Sequence, residues 1–152
     1  MDNLINDKID MFIMSAMKAH DTVRTETLRA MKTAFLNWKT AKENVGKTLS
    51  ETDEINILKK MVKQREESIE EYNNAGREEL AIEEYTQMMI LKEFLPAEAT
   101  EEDILKCFND VIGQDGFEPV KKNMGIIIKT IKSVLPSADG KLVATTVQKY
   151  LQ

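Results

Sequence analysis

The chain is poor in the residues that usually do chemistry. It has one cysteine, Cys107, and one histidine, His20, in 152 residues. A single cysteine forbids an intramolecular disulfide and a cysteine-rich metal site, and it fits a reducing compartment. His20 falls at the corner between two expected helices, where a histidine serves a turn or a cap. No histidine lies near Cys107 in sequence to activate it, so a buried thiol is expected there. The abundant carboxylates show no spacing that singles out an acid/base pair. Neither a phosphate-binding P-loop nor a dinucleotide fingerprint occurs. No catalytic residue, metal or cofactor is therefore expected. Asp2, Asp7 and Asp10 interrupt the place where a secretory signal needs a basic lead and an unbroken apolar run. No stretch approaches the length of a membrane span. A cytoplasmic location without membrane contact is the expectation.

What is present is a globular composition, 42% hydrophobic and 31% charged, with a formal net charge of −5. That charge is unevenly laid out. Residues 50–116 hold eighteen acidic residues against seven basic, whereas residues 117–152 hold six basic against two acidic. Partners respond to local fields over about 10 Å at ordinary ionic strength. The basic C-terminal segment is thus a separate question from the acidic middle.

Every long segment has a helical period and none alternates as a strand does. Helix one is expected from Asn3 to Ala19, with Ile9, Phe12, Ile13 and Ala16 on its apolar stripe. Asp21 caps helix two, which carries Leu28, Met31, Phe35 and Trp38 and breaks near Gly46. Helix three starts near Ser50, where Ser50 and Asp53 form a variant capping box, and ends before Gly76. Helix four runs to the region of Pro96. Thr100 and Asp103 form a second acidic box ahead of helix five, and Gly113 and Gly116 are expected to bracket the turn that follows. Pro119 suits the first turn of helix six, which ends by Pro136, and Asp139 caps helix seven. The nine methionines fall mostly on apolar stripes and are read as core filling. The fold expected is all-α: a helical N-terminal region, residues 1–96, with a long helix-three/helix-four hairpin, and a compact three-helix C-terminal domain, residues 97–152.

Several short motifs occur in order: Lys63-Gln64-Arg65 with Ser68-Ile69, Ala75-Gly76-Arg77-Glu78-Glu79-Leu80, Leu95-Pro96, Met124-Gly125, and Ala138-Asp139-Gly140-Lys141-Leu142-Val143. In this set the chain resembles the YqeY-like proteins of the GatB/YqeY superfamily over essentially its whole length. The resemblance implies kinship with the C-terminal tail of the B subunit of tRNA-dependent amidotransferases and with an appended region of some glutaminyl-tRNA synthetases, small helical domains that contact tRNA. It implies tRNA, a tRNA-charging enzyme or an amidotransferase as partner, and no DNA. The chain has no room for the large amidotransferase cradle, so glutamine-dependent carbon–nitrogen ligation attaches to it only by domain association.

Read at about 100° per residue, helix six gathers Val120, Met124, Ile127, Ile128, Ile131 and Leu135 on one side and Lys121, Lys122, Lys129 and Lys132 on the other. Gly125 falls among the lysines. Glycine inside a helix costs about 1 kcal/mol relative to alanine. Close approach of a phosphate backbone is one reason for such a residue; close packing of a neighbouring helix, beside lysines that merely solvate a surface, is the other. Gly140 and Lys141 open helix seven, where free N–H groups attract anions, although Asp139 takes up some of those donors. On helix two, Arg24, Arg29, Lys32 and Lys39 form either a second RNA-facing patch or pairs with the acidic middle. Lys63 pairs with Glu67, and Arg65 is read as a bridge between helices. The function expected is a non-catalytic accessory protein that binds RNA through Lys121, Lys122, Gly125, Lys129, Lys132, Gly140 and Lys141. The alternatives are a protein–protein adaptor, in which the acidic hairpin docks a basic partner, and an amidotransferase-associated component.

Overall fold

The computed structural model describes residues 4–115 and 118–151; Asp2, Asn3 and Gly116 lie outside them. The described residues form seven α-helices and no strand, as the uniform helical period requires. They are α1 (Ile5–Lys18), α2 (Thr22–Thr40), α3 (Glu51–Asn74), α4 (Glu78–Glu93), α5 (Glu101–Asp115), α6 (Met124–Val134) and α7 (Gly140–Tyr150). Short 3-10 turns occupy Lys42–Asn44 and Lys121–Asn123. The chain divides into two compact units, Met1–Leu95 and Pro96–Gln152.

In the first unit, Ile9 and Ala16 of α1, Leu28, Met31 and Phe35 of α2, Leu58, Met61 and Val62 of α3, and Met88 and Leu91 of α4 form one buried cluster. Phe12 and Phe94 meet at its margin, tilted by 56° with ring centroids 5.4 Å apart. The helices α3 and α4 pack along one another. Arg65 and Gln87 stand equally far in sequence from Gly76, and Arg65 Nε donates to Gln87 Oε1 at 3.0 Å with Glu84 3.5 Å away. That pairing makes the two helices an antiparallel hairpin, with Arg65 bridging it.

Chain reversals here use one device twice. Gly76 has φ +73°; its N–H donates to the Asn73 carbonyl and the next N–H donates to Tyr72. This is the paired-bond ending in which a left-handed residue lets the backbone satisfy the last helical carbonyls. His20, at φ +56°, makes the same ending for α1, donating to Met17 while Asp21 donates to Ala16. The histidine thus stands where glycine is the usual residue, at a cost of about 1 kcal/mol.

Helix starts are held by local carboxylates and hydroxyls. Asp21 accepts from Arg24 N–H at 3.0 Å. Ser50 and Asp53 exchange both bonds of a capping box. The starts of α4 and α6 have no side-chain cap, and α1 has a capping residue, Leu4, with no polar side chain. Its first N–H groups are received instead by Glu54 of α3: Ile5 N–H donates to Oε1 at 2.9 Å and Asn6 N–H to Oε2 at 2.7 Å. Glu54 is 1% exposed. A carboxylate so buried is tolerated because both oxygens are hydrogen-bonded and the helix N-terminus carries partial positive charge.

In the second unit, Ile104, Phe108 and Val111 of α5 meet Ile127 and Ile131 of α6 and Val143 and Val147 of α7. Each of the three helices touches the other two. Thr100 and Asp103 form the expected box, at 2.9 Å and 3.2 Å. The Thr100 N–H bond first, and the Thr100 side chain second, hold the Asp103 carboxyl below the usual aspartate range, with Lys106 adding to the effect. At the other end, Lys149 of α7 donates to Glu101 of α5 at 2.7 Å, and this bond raises the Lys149 pKa.

Two boundaries differ from expectation. The helix α5 continues through Gly113 to Asp115, so Gly113 does not begin a turn. The helix α6 starts at Met124 rather than near Pro119, because a 3-10 turn intervenes and Asn123 Nδ2 is bonded to the Glu118 carbonyl. Replacing Glu54 by alanine leaves two helix-start N–H groups unreceived; about 3 kcal/mol of stability is expected to be lost in urea unfolding followed by circular dichroism. A loss under about 1 kcal/mol would show that water caps α1 equally well.

Candidate nucleic-acid interface

The second unit owes its basic face to the amphipathic period of α6. Ile127 and Ile131 are buried, and Met124 and Ile128 half-buried, on one side. Gly125, Lys129 and Lys132 are exposed on the other, within a narrow arc at 100° per residue. Lys121 and Lys122, also exposed, precede this face on the 3-10 turn rather than lying on α6 itself. No acidic residue stands in the first turn of α6, and its capping residue, Asn123, makes no side-chain cap. The start of this helix therefore keeps its partial positive charge beside Lys121 and Lys122.

Folding adds something the linear order hides. Lys132, near the end of α6, reaches the start of α7. A Cβ placed on Gly140 would lie 2.9 Å from Lys132 Nζ and 3.2 Å from its Cε. Gly140 thus leaves room for the Lys132 ammonium, and Lys141 follows on the same helix start, exposed. Asp139 accepts from Leu142 N–H at 3.1 Å, so it takes part of the donor capacity of that start, as its capping position requires. Among the described residues, none of Lys121, Lys122, Lys129, Lys132 and Lys141 enters a salt bridge. Four or more unpaired ammonium groups near two helix starts form a surface that phosphate oxygens can neutralise without any base being read.

Gly125 is exposed, and an added Cβ would meet nothing within 4 Å. Close packing of a neighbouring helix is therefore not its reason. It occupies the first turn of α6, where glycine is less costly than in a helix interior, so the expected interior cost does not arise either.

Arg24, Arg29 and Lys32 of α2 are engaged inside the first unit, while Lys39 is exposed and enters no salt bridge among the described residues. Arg24 donates to Glu93 of α4 at 2.6 Å, Lys32 pairs with Asp10 of α1, and Arg29 lies 3.6 Å from Met17 Sδ. They are not a second free patch.

A groove of about 400 Å³ opens on the second unit, lined in part by Asp103, Lys106, Cys107, Asp110, Thr130 and Ser137. Cys107 is buried. Burial first, and Asp110 second, push its thiol up, toward the protonated and unreactive form. No group of three or more His, Cys, Asp or Glu among the described residues is arranged to hold a metal ion.

Comparison with known proteins follows the same outline. The family model described as Yqey-like protein matches residues 6–151, and the chain belongs to that family. A relative, "Altered inheritance of mitochondria protein 41, mitochondrial" of the yeast Meyerozyma guilliermondii, is 30% identical over 145 residues, covering 82% of this chain and 76% of the relative. Its name places that protein in the mitochondrion. In the present chain, no helix among the described residues is long and apolar enough to cross a membrane.

Because the space beside Gly125 is open and its φ is not left-handed, Gly125→Ala is expected to raise stability by about 0.5 kcal/mol, read as a higher thermal midpoint. A fall in the midpoint would mean that the fold itself requires the glycine.

Proposed function

We propose that this member of the YqeY-like family is a small accessory protein of tRNA metabolism. It acts in the cytoplasm without catalysing a reaction of its own, and binds tRNA phosphates through the lysine face of its C-terminal unit. The reading is carried by one observation, the seating of Lys132 over Gly140, which brings the end of the α6 lysine face to the start of α7, where Lys141 follows. Lys121, Lys122, Lys129 and Lys132 neutralise phosphates, and Gly125 lets the backbone of a nucleic acid approach the first turn of α6. Recognition on this basis is by charge and shape, which suits a folded RNA. The kinship of the family with amidotransferase tail domains favours tRNA over other RNAs. Eight glutamates against one arginine between Glu66 and Leu91 repel a polyanion from the N-terminal hairpin, leaving the C-terminal unit as the place of approach.

About five phosphate contacts give a log–log salt slope of roughly −3 to −4, at about 0.7 per contact for single strands. Titration of bulk tRNA at 50 and 200 mM salt measures it. Lys122→Glu combined with Lys129→Glu is expected to lower affinity at least tenfold, while Lys129→Ala alone flattens the slope by about 0.7. Unchanged affinity in the double variant sinks the reading and leaves these lysines as a solvated surface.

A further inference from the structure

The N-terminal unit carries an apolar stripe that its own fold does not cover. The helix α4 buries Ala81, Met88 and Leu91 against the core. On its solvent side Ile82, Tyr85 and Met89 are 66%, 52% and 45% exposed. Their spacing, i, i+3 and i+7, sets them in a row about 10 Å long on one face. Thr86 lies along the same row, its hydroxyl turned back to the Ile82 carbonyl at 3.0 Å and so already satisfied. A helix that is apolar on both faces is normally covered on both. Scattered single apolar residues on a surface are ordinary; rows at helical spacing on helices already buried behind are less so, and α1 has a second one, Met11, Met14 and Met17, with Lys8 and Lys18 rather than a glutamate rim along that helix.

The surroundings of the row select what covers it. Glu78, Glu79 and Glu83 are exposed on α4, and none is in a salt bridge among the described residues. Glu84, which could add to them, is held by Arg65. Between Glu66 and Leu91 the only basic residue is Arg77, and exposed Lys92 follows at the C-terminal end of the row, so the acidic rim lies at its N-terminal end. A second copy of this chain laid parallel on the row would bring the same glutamates face to face, and like charges so placed are repulsive; an antiparallel copy, with its Lys92 toward Glu78 and Glu79, is the arrangement the sedimentation arm of the test detects. A nucleic acid is repelled by the same rim.

We infer that the Ile82–Tyr85–Met89 face of α4 docks an amphipathic helix of a partner protein, with apolar residues at i, i+3, i+4 and i+7 flanked by lysine and arginine. The apolar row supplies the anchor, Tyr85 adding a large contact area with few rotatable bonds. The glutamate rim speeds encounter and orients the incoming helix. This inference does not rest on tRNA binding: it uses the other unit, the opposite charge and a different class of partner. The two activities can fail independently.

The test uses the full chain and two fluorescein-labelled 18-residue peptides. Both carry leucine at i, i+3, i+4 and i+7; one has lysine and arginine on its flanks, the other glutamate. Fluorescence anisotropy is expected to show saturable binding of the basic peptide and at least tenfold weaker binding of the acidic one. Ile82→Glu with Met89→Glu is expected to weaken the basic peptide at least tenfold, and Glu79→Lys with Glu83→Lys to weaken it and flatten its salt dependence. Met11→Glu with Met14→Glu, on exposed positions of α1, is the control and leaves binding unchanged. All these positions are solvent-exposed, so circular dichroism should match the parent chain. Equal affinity for the two peptides, or binding that survives Ile82→Glu with Met89→Glu, overturns the inference. So does a dimer in sedimentation velocity that this same variant dissolves, since the row is then covered by a second copy.

Discussion

Ile5 and Asn6 open α1 with N–H groups that Leu4 has no side chain to receive, and the carboxylate of Glu54 receives both. The arrangement of the N-terminal unit depends on this contact. It pins the start of α1 to the first turns of α3, so that Ile9 and Ala16 descend into the cluster formed by α2, α3 and α4. It also converts a costly group into a stabilising one. A buried carboxylate alone would be expelled or neutralised; two backbone donors at a helix start give it charge-assisted bonds and a favourable dipole. The other described helix starts with side-chain caps use a residue within three positions, which fixes where a helix begins but not what it lies against. Glu54 does both.

The distribution of charge gives the two units different possibilities. In the first, Arg24 and Lys32 of α2 are spent on internal pairs with α4 and α1, and the turn-proximal part of the hairpin is almost purely acidic. In the second, the lysines of α6 and Lys141 have no carboxylate partners among the described residues. Lys149, which has one, sits elsewhere, tying α7 to α5. A net charge of −5 therefore describes neither surface a partner would meet.

Much of the fold was legible because the controlling interactions are short-range. Asp21, Ser50 with Asp53, Thr100 with Asp103, and Asp139 each announce a helix start by receiving the N–H three residues ahead, and all were found in those roles. The ending at Gly76 was equally plain. The ending at His20 was legible only as a corner, since histidine does not advertise a left-handed residue. The start of α6 was misplaced because Pro119 fits a first helical turn and nothing local reveals the 3-10 turn at Lys121–Asn123. Glu54 was missed for the opposite reason. It lies on the same face as Leu58, Met61 and Val62, and a charged residue in a core stripe was the available signal, but its partners lie 48 and 49 residues away.

By itself, then, the sequence determined that this protein is all helix, where most helices start and stop, and that acid and base are segregated along the chain. These follow from propensity, capping and periodicity, which act within a turn or two. Tertiary structure decided which charges stay free. It consumed Arg24, Lys32 and Arg65 in pairs between helices, set Lys132 over Gly140, and left Ile82, Tyr85 and Met89 uncovered on a helix whose other side is core. No local rule assigns those outcomes, because each depends on which helix face meets which neighbour.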